Sequence, residues 1–181
     1  KRYHWISIVL LPLSWLFALI VLIRRACYQK NILHVHPFKI PIIIVGNITV
    51  GGTGKTPLVA WLANQLLNQG YRPGIISRGY GSKSHSRPYR VTPITPVEDA
   101  GDEALMLARQ TNCPVMIGKD RVADVAELIA QTDCNVVIAD DGLQHYRLGR
   151  TVEIAVIDAT RGIGNGLMLP AGPLRDMRPD P

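Results

Sequence analysis

Cysteine is scarce in this chain of 181 residues, and Cys27, Cys113 and Cys134 stand far apart. An odd, dispersed set argues against a disulfide framework and lacks the paired spacing of a structural zinc site. The three read as ordinary reduced thiols of a cytosolic compartment. The five histidines also lack metal-ligand spacing, and His34 and His36 read as interfacial residues. Aromatic residues make up only 6% of the chain and charged residues 19%. The excess of 20 Lys and Arg over 14 Asp and Glu gives a net charge of +6, with no long basic run. Nucleic-acid binding calls for a clustered basic face with interleaved aromatics, so no nucleic-acid partner is expected. Attraction to an anionic membrane surface or an anionic substrate fits better. Internal repeats and low-complexity tracts are also lacking, and the length suits one domain plus an appendage.

What the chain has instead is a long hydrophobic run. Hydrophobic residues make up 47% of it, and Trp5 to Ile23 is 19 residues without a charge. As a helix this run would extend about 28 Å, close to the hydrocarbon thickness of a bilayer. Arg24-Arg25 directly after it argue against a cleaved signal peptide, and a core helix is rarely apolar on every face for so long. A membrane anchor over residues 1–27 is the expectation, with a linker over 28–39. Pro12 leaves room for a kink or a shallow insertion. The heavier positive charge after the run places the following domain, residues 40–181, on the cytoplasmic face.

That domain opens on Ile42 to Val45 and a glycine-rich turn, Gly46-Asn47-Ile48-Thr49-Val50-Gly51-Gly52-Thr53-Gly54-Lys55-Thr56, followed by Pro57 and Leu58-Val59-Ala60-Trp61-Leu62. Strand, phosphate loop and helix is the natural parsing. Backbone N–H groups of such a loop converge on an anion, and the helix N-terminus adds its dipole. Gly51, Gly52, Thr53 and Gly54 would form the cradle, Lys55 would reach the outer phosphates, and the Thr56 hydroxyl would ligate Mg²⁺. Thr49 replaces the usual first glycine, and Gly51 and Gly52 supply the flexibility. A nucleoside triphosphate is the expected ligand.

Beyond the loop, strand and helix signals alternate: helix from Thr56 to Asn68, strand from Gly74 to Ser77, helix from Asp102 to Gln110, strand from Pro114 to Ile117, helix from Lys119 to Gln131, and strands from Asn135 to Ala139 and Glu153 to Ile157. Near-continuous apolar strands separated by helices predict an α/β fold of the phosphate-loop NTPase kind, a doubly wound, mostly parallel sheet with helices on both faces. Reactive groups then belong at the carboxyl ends of the strands. Residues 78–100 break the alternation, with five glycines and prolines among Lys83, His85, Arg87 and Arg90, and predict a flap or hairpin beside the phosphate site.

Two acidic segments complete the pattern. Val136-Val137-Ile138-Ala139 ends in Asp140-Asp141-Gly142, the form of a strand whose terminal aspartate holds Mg²⁺. Gln144 and His145 continue toward the same edge. Gly101-Asp102-Glu103 opens a helix, where acids are favoured by the dipole whatever their function.

Five blocks together, Gly46-Asn47 through Thr56-Pro57, Ser77-Arg78-Gly79-Tyr80-Gly81, Gly101-Asp102-Glu103-Ala104, Asp140-Asp141-Gly142-Leu143-Gln144-His145, and Gly164-Asn165-Gly166 with Leu169-Pro170-Ala171-Gly172-Pro173-Leu174-Arg175, resemble the tetraacyldisaccharide 4′-kinase family. The resemblance runs from the apolar segment to Arg175. It implies ATP and Mg²⁺, transfer of the γ-phosphoryl group to the 4′-hydroxyl of an acylated glucosamine disaccharide 1-phosphate on the lipid A pathway, and residence at the bacterial inner membrane. It also implies Asp102 as the general base, Lys55 and Arg175 as charge-stabilising catalytic groups, and Thr56 and Asp141 on the metal with Glu103 and Asp140 beside them. Where the family often has Glu after the arginine, this chain has Asp176. The family also has a second lobe carrying a histidine partner for the aspartate, so the chain is expected to be a fragment, monomeric, with little activity alone. A competing resemblance is to membrane-associated partitioning and positioning ATPases, but their lysine ahead of the double glycine is Val50 here.

Overall fold

A computed structural model describes residues 5–52, 54–83 and 88–176. The apolar run forms two helices, α1 (Trp5–Val9) and α2 (Leu11–Gln29), broken at Leu10. Pro12 explains the break: in the first turn of α2 its missing N–H is harmless, whereas one continuous helix would need that N–H for the Ile8 carbonyl. α2 continues past Ile23, carrying Arg24, Arg25 and Tyr28 on its last turns. By length and composition it is apolar enough to cross a membrane.

The remaining elements alternate as expected. They are β1 (Ile42–Asn47), α3 (Lys55–Asn68), β2 (Pro73–Ser77), β3 (Tyr89–Val91), α4 (Val97–Ala100), α5 (Asp102–Gln110), β4 (Val115–Ile117), α6 (Arg121–Gln131), β5 (Val136–Asp140) and β6 (Val152–Val156). The six strands form one sheet in the order β3-β4-β2-β5-β1-β6, parallel throughout except for β3. Val91 belongs to that antiparallel edge strand, at the side of the sheet remote from β1. Among the described residues the predicted flap or hairpin forms no hairpin of its own, though residues 78–83 lie at the carboxyl ends of β2 and β4; His85 and Arg87 lie outside the described residues. The short β3 finds its partner in β4, which leaves no local pairing for a hairpin.

Strand residues alternate between two cores. Val45, Ile75, Val115, Ile117 and Ile138 pack with Val59, Ala63 and Leu107 of α3 and α5. Ile42, Ile44, Ile76, Met116, Val137 and Ala139 pack with Val125 and Leu128 of α6. With helices on both faces, the four interior strands are buried almost throughout, while β6 at the edge is partly exposed. Local chemistry fixes the helix starts. Asp120 caps α6 by accepting from the Val122 N–H at 3.0 Å. Gly101 precedes α5 with φ +77°, its backbone so near the Tyr80 carbonyl that a Cβ would lie 2.3 Å from that oxygen.

Parallel register brings the carboxyl ends of β1, β2, β4 and β5 to one edge of the sheet, with Val45 opposite Asp140 and Asn47 opposite Val156. Packing is tight: a Cβ on Gly74 would meet Leu128 Cδ2 at 2.7 Å. Leu128→Ala, which empties a fully buried site, should cost about 2–5 kcal/mol in urea unfolding without moving the elements.

Candidate active site

The site begins where β1 ends. The chain leaves the sheet at Asn47, whose side-chain amide donates to the Gly51 carbonyl at 2.9 Å and closes the loop on itself. Gly51 and Gly54 both take positive φ, at +114° and +77°, conformations that favour glycine. Gly51, Gly52 and Gly54 are exposed at the loop surface, and Thr53 lies outside the described residues. Gly54 delivers the chain into α3 so that Lys55 and Thr56 occupy its first turn. Thr56 is buried there, at the dipole's positive end.

The end of β5 lies beside β1. Asp140 is the last residue of that strand and is fully buried. Its Oδ1 has no hydrogen-bond partner among the described residues. Burial, followed by the negative charge of Glu103, pushes its pKa up to about 6. Asp141 follows with φ +57°, a left-handed backbone that is strained in a non-glycine residue. The turn reverses the side chain toward the loop. Lys55 Nζ lies 3.4 Å from Asp141 Oδ1, and the Arg175 guanidinium donates to that same oxygen. Burial alone would raise the Asp141 pKa, but the hydrogen bond and charge of Arg175, with help from Lys55, hold it below the usual carboxylate range.

Arg175 is fixed from several sides. Its Nε donates to the Asn47 carbonyl at 3.1 Å, its backbone N–H to Ile48 at 2.9 Å, and its carbonyl accepts from Gln144 at 3.2 Å. Lys55, Thr56, Asp140, Asp141 and Arg175 are thus gathered at one point, with Glu103 near enough to act on Asp140 through its charge. Asp102 is not drawn into that cluster by any bond. It stands exposed at the start of α5, lining a hollow with Thr95, Val97 and Arg109, and among the described residues no hydrogen bond or ion pair engages it. Asp176 faces the other way: its carboxylate accepts from the Tyr146 hydroxyl at 2.8 Å.

At the ends of β2 and β4 lies a basic hollow of about 500 Å³. Arg24 of α2, Arg78, Lys83, Lys119 and His145 line it, with Tyr80 and the glycines between them, and no acid does. Beneath it Arg121 is buried, donating to the carbonyls of Ser77 and Gly118 and pairing with Asp124 at 3.4 Å. His145 is kept neutral, its pKa lowered to about 4 by burial and then by the charges of Arg121 and Arg78.

A profile of the tetraacyldisaccharide-1-P 4′-kinase family matches residues 6–180. The chain belongs to this family. Tetraacyldisaccharide 4′-kinases of Nitrosococcus oceani and Coxiella burnetii are 53% and 52% identical over 168 residues, covering 93% of this chain but 50% and 51% of theirs. That of Alkalilimnicola ehrlichii is 52% identical over 172 residues, 95% of this chain and 52% of its own. The fold superposes on the crystal structure of LpxK from Aquifex aeolicus in complex with ATP with a TM-score of 0.81 and 33% identity, over 95% of this chain and 55% of that one. The chain spans about half the length of the curated relatives it matches.

Sequence reasoning placed the loop and the paired aspartates but assigned no role to Arg121, Lys119 or Tyr146. Arg121 opens an amphipathic helix and gives no sign in the sequence that it turns inward. Arg78 was visible only as part of a block of glycines. The electrostatics have a direct consequence for acid stability. A folded pKa near 4 against about 6.5 unfolded means that the unfolded chain binds the extra proton between those values, so His145 contributes stability that rises with pH across that window, against the opposite contribution of the buried Asp124 and Asp140. NMR titration should find the His145 ring neutral down to about pH 4, and the stability difference between wild type and His145→Gln should shift in favour of the wild type as pH rises from 4 to 6.5.

Proposed function

We propose that this chain carries the nucleotide-binding part of an inner-membrane kinase that moves the γ-phosphoryl group of ATP to the 4′-hydroxyl of a tetraacyldisaccharide 1-phosphate, the lipid A precursor. The observation that carries the reading is the meeting of Lys55 and Arg175 on Asp141 at the mouth of a glycine cradle, in a chain of this family. Phosphoryl transfer needs positioning and charge neutralisation more than covalent help. The loop amides of Gly51, Gly52, Thr53 and Gly54 cradle the phosphates, and Lys55 and Arg175 neutralise the transferring group. Asp102, unengaged by other side chains, takes the proton of the attacking hydroxyl.

The donor set suits Mg²⁺. Thr56, Asp141, Asp140 and Glu103 offer hard oxygen ligands, and Asp140 Oδ1 is a buried acceptor without a partner among the described residues. Among those residues no three acidic, histidine or cysteine side chains form a complete cage, in keeping with an ion that takes phosphate and water for its remaining ligands. When bound, the ion supplies positive charge to the phosphate oxygens.

The acceptor enters from the basic hollow. Its lining of Arg24, Arg78, Lys83 and Lys119 suits a phosphorylated sugar, and Arg24 belongs to the apolar helix. That helix is the membrane anchor, and its packing favours lying along the leaflet over crossing it. Ser14, at the middle of the apolar run, is buried and donates to the Met168 carbonyl at 2.7 Å, while Trp5, Trp15, Leu19 and Ile23 are exposed. In a crossing helix Ser14 would sit about 14 Å from either boundary, dragging a polar loop into hydrocarbon.

The assay uses full-length protein, labelled ATP and vesicles bearing the acylated disaccharide 1-phosphate. Label should pass to the lipid, and Lys55→Ala or Asp102→Ala should reduce transfer at least about 100-fold. ATP hydrolysis indifferent to the lipid would instead mark a partitioning-type switch. Brominated acyl chains should quench Trp5 and Trp15 to similar depths; quenching of Trp15 at mid-bilayer with Trp5 at the far boundary would establish a crossing helix.

A further inference from the structure

The proposed kinase chemistry makes no use of Tyr146, yet Tyr146 stands where the membrane helix meets the phosphate site. Two cations lie over its ring, with Arg24 Cζ 5.4 Å and Arg150 Cζ 5.5 Å from its centroid. Tyr28, one turn further along α2, packs on it at 5.7 Å between centroids. Arg150 is itself immobilised by the carbonyls of Leu143, His145 and Leu148 and by Glu153. Arg24 belongs to the helix. At the tip of the ring, the hydroxyl donates to Asp176 at 2.8 Å, and Asp176 is almost wholly buried.

The neighbour of Asp176 is Arg175, which holds Asp141. Tyr146 lies five residues beyond Asp141, midway along the loop that joins β5 to β6. One aromatic residue therefore closes a ring of contacts: Asp141 to Arg175, Arg175 to Asp176 through the chain, Asp176 to Tyr146, and Tyr146 back along its loop to Asp141. The same segment is pinned to α2 a second time, by Ser14 on the Met168 carbonyl, and is stiffened in between by Leu169 N–H to Leu174 O at 2.8 Å. Ser14 and Arg24 are ten residues apart, about 15 Å along the helix. Two widely spaced anchor points on one rigid helix fix both position and angle of what they hold.

We propose that Tyr146 is a positioning residue: by fastening Asp176 beneath the membrane helix, it sets Arg175 onto the Asp141 carboxylate. Arg175 has a flexible side chain, and its backbone bonds to Ile48 fix the main chain without fixing the approach of the segment from the helix side. The Tyr146 hydroxyl adds a constraint from the helix side to those that Asn47, Ile48 and Gln144 place on Arg175. Its contacts are with Asp176, Arg24, Arg150 and Tyr28, so it acts through Arg175.

The test uses full-length protein in lipid vesicles, read by affinity for a fluorescent Mg-ATP analogue and by kcat and KM for the lipid acceptor. Only the kinetic readout rests on the kinase reading. Absence of transfer by the wild type would sink that reading and leave the binding measurement to judge this one. Tyr146→Phe deletes one hydroxyl and should lower nucleotide affinity and kcat about tenfold, the size expected for a lost hydrogen bond to a carboxylate, while KM for the lipid stays within about twofold. Asp176→Ala should match it, Asp176→Asn, which keeps an acceptor, should recover most of the loss, and Tyr146→Phe with Asp176→Ala should be no worse than either alone. Wild-type values in Tyr146→Phe, or losses that multiply in the double variant, would overturn the proposal. If Tyr146→Phe does not fold, equal losses in Asp176→Asn and Asp176→Ala would overturn it as well.

Discussion

The carboxylate of Asp141 is the charge around which the phosphate end of this molecule is arranged. It sits on a strained left-handed residue immediately after β5. Strain of this kind costs roughly 1–3 kcal/mol and persists only where the surroundings overdetermine it. Here they do. Lys55 arrives from the loop after β1, and Arg175 arrives from a segment 34 residues further along the chain, and both converge on the same oxygen. Three distant stretches of sequence are thereby held together by one negative charge, and without it two cations would face each other across the mouth of the loop.

The neighbouring buried charges obey a different logic. Asp140 and Asp124 both have pKa values pushed up to about 6, first by burial, and the opposing pull of Arg121 does not offset it. A folded state that holds protons more tightly than the unfolded chain loses stability as pH rises from about 4 through 6. Neither carboxylate is therefore placed for stability at neutral pH. Arg121 tells the same story from the other sign: its Nε and NH2 lack partners among the described residues, and burial lowers its pKa. Buried ion pairs rarely improve on apolar packing. Charges kept under such conditions, at the carboxyl ends of parallel strands, are best understood as fixed sources of field for a polyanionic ligand.

Much of this was legible in advance because it is local. Apolar runs of four to six residues, one glycine-rich turn and a helix period suffice to give the doubly wound sheet, and every interior strand lies within two residues of its expected bounds. The edge strand β3 was not legible, since three residues in a region rich in proline carry no period and depend wholly on pairing with β4. The phosphate loop and Asp140-Asp141 were legible because their chemistry is written in consecutive residues. Arg121, Tyr146 and the orientation of Asp176 were not. Each acquires its position from packing between elements far apart in sequence, as when Tyr146 meets Tyr28 across more than a hundred residues. Asp102 and Glu103 show the limit most plainly: adjacent in sequence, they diverge in space, and only Glu103 bears electrostatically on Asp140.

The apolar helix ties these observations together. A chain that merely needed tethering could hang from a span by a flexible linker, with no contact between helix and site. Instead α2 is clasped at Ser14, Arg24 and Tyr28 by the segments that carry Arg175 and His145. Its exposed face, with Trp15, Leu16, Leu19, Ile20 and Ile23, is far too apolar to be left in water. A helix clasped in this way, with Arg24 turned into a basic hollow, ties the position of that apolar face to the carboxyl ends of the parallel strands.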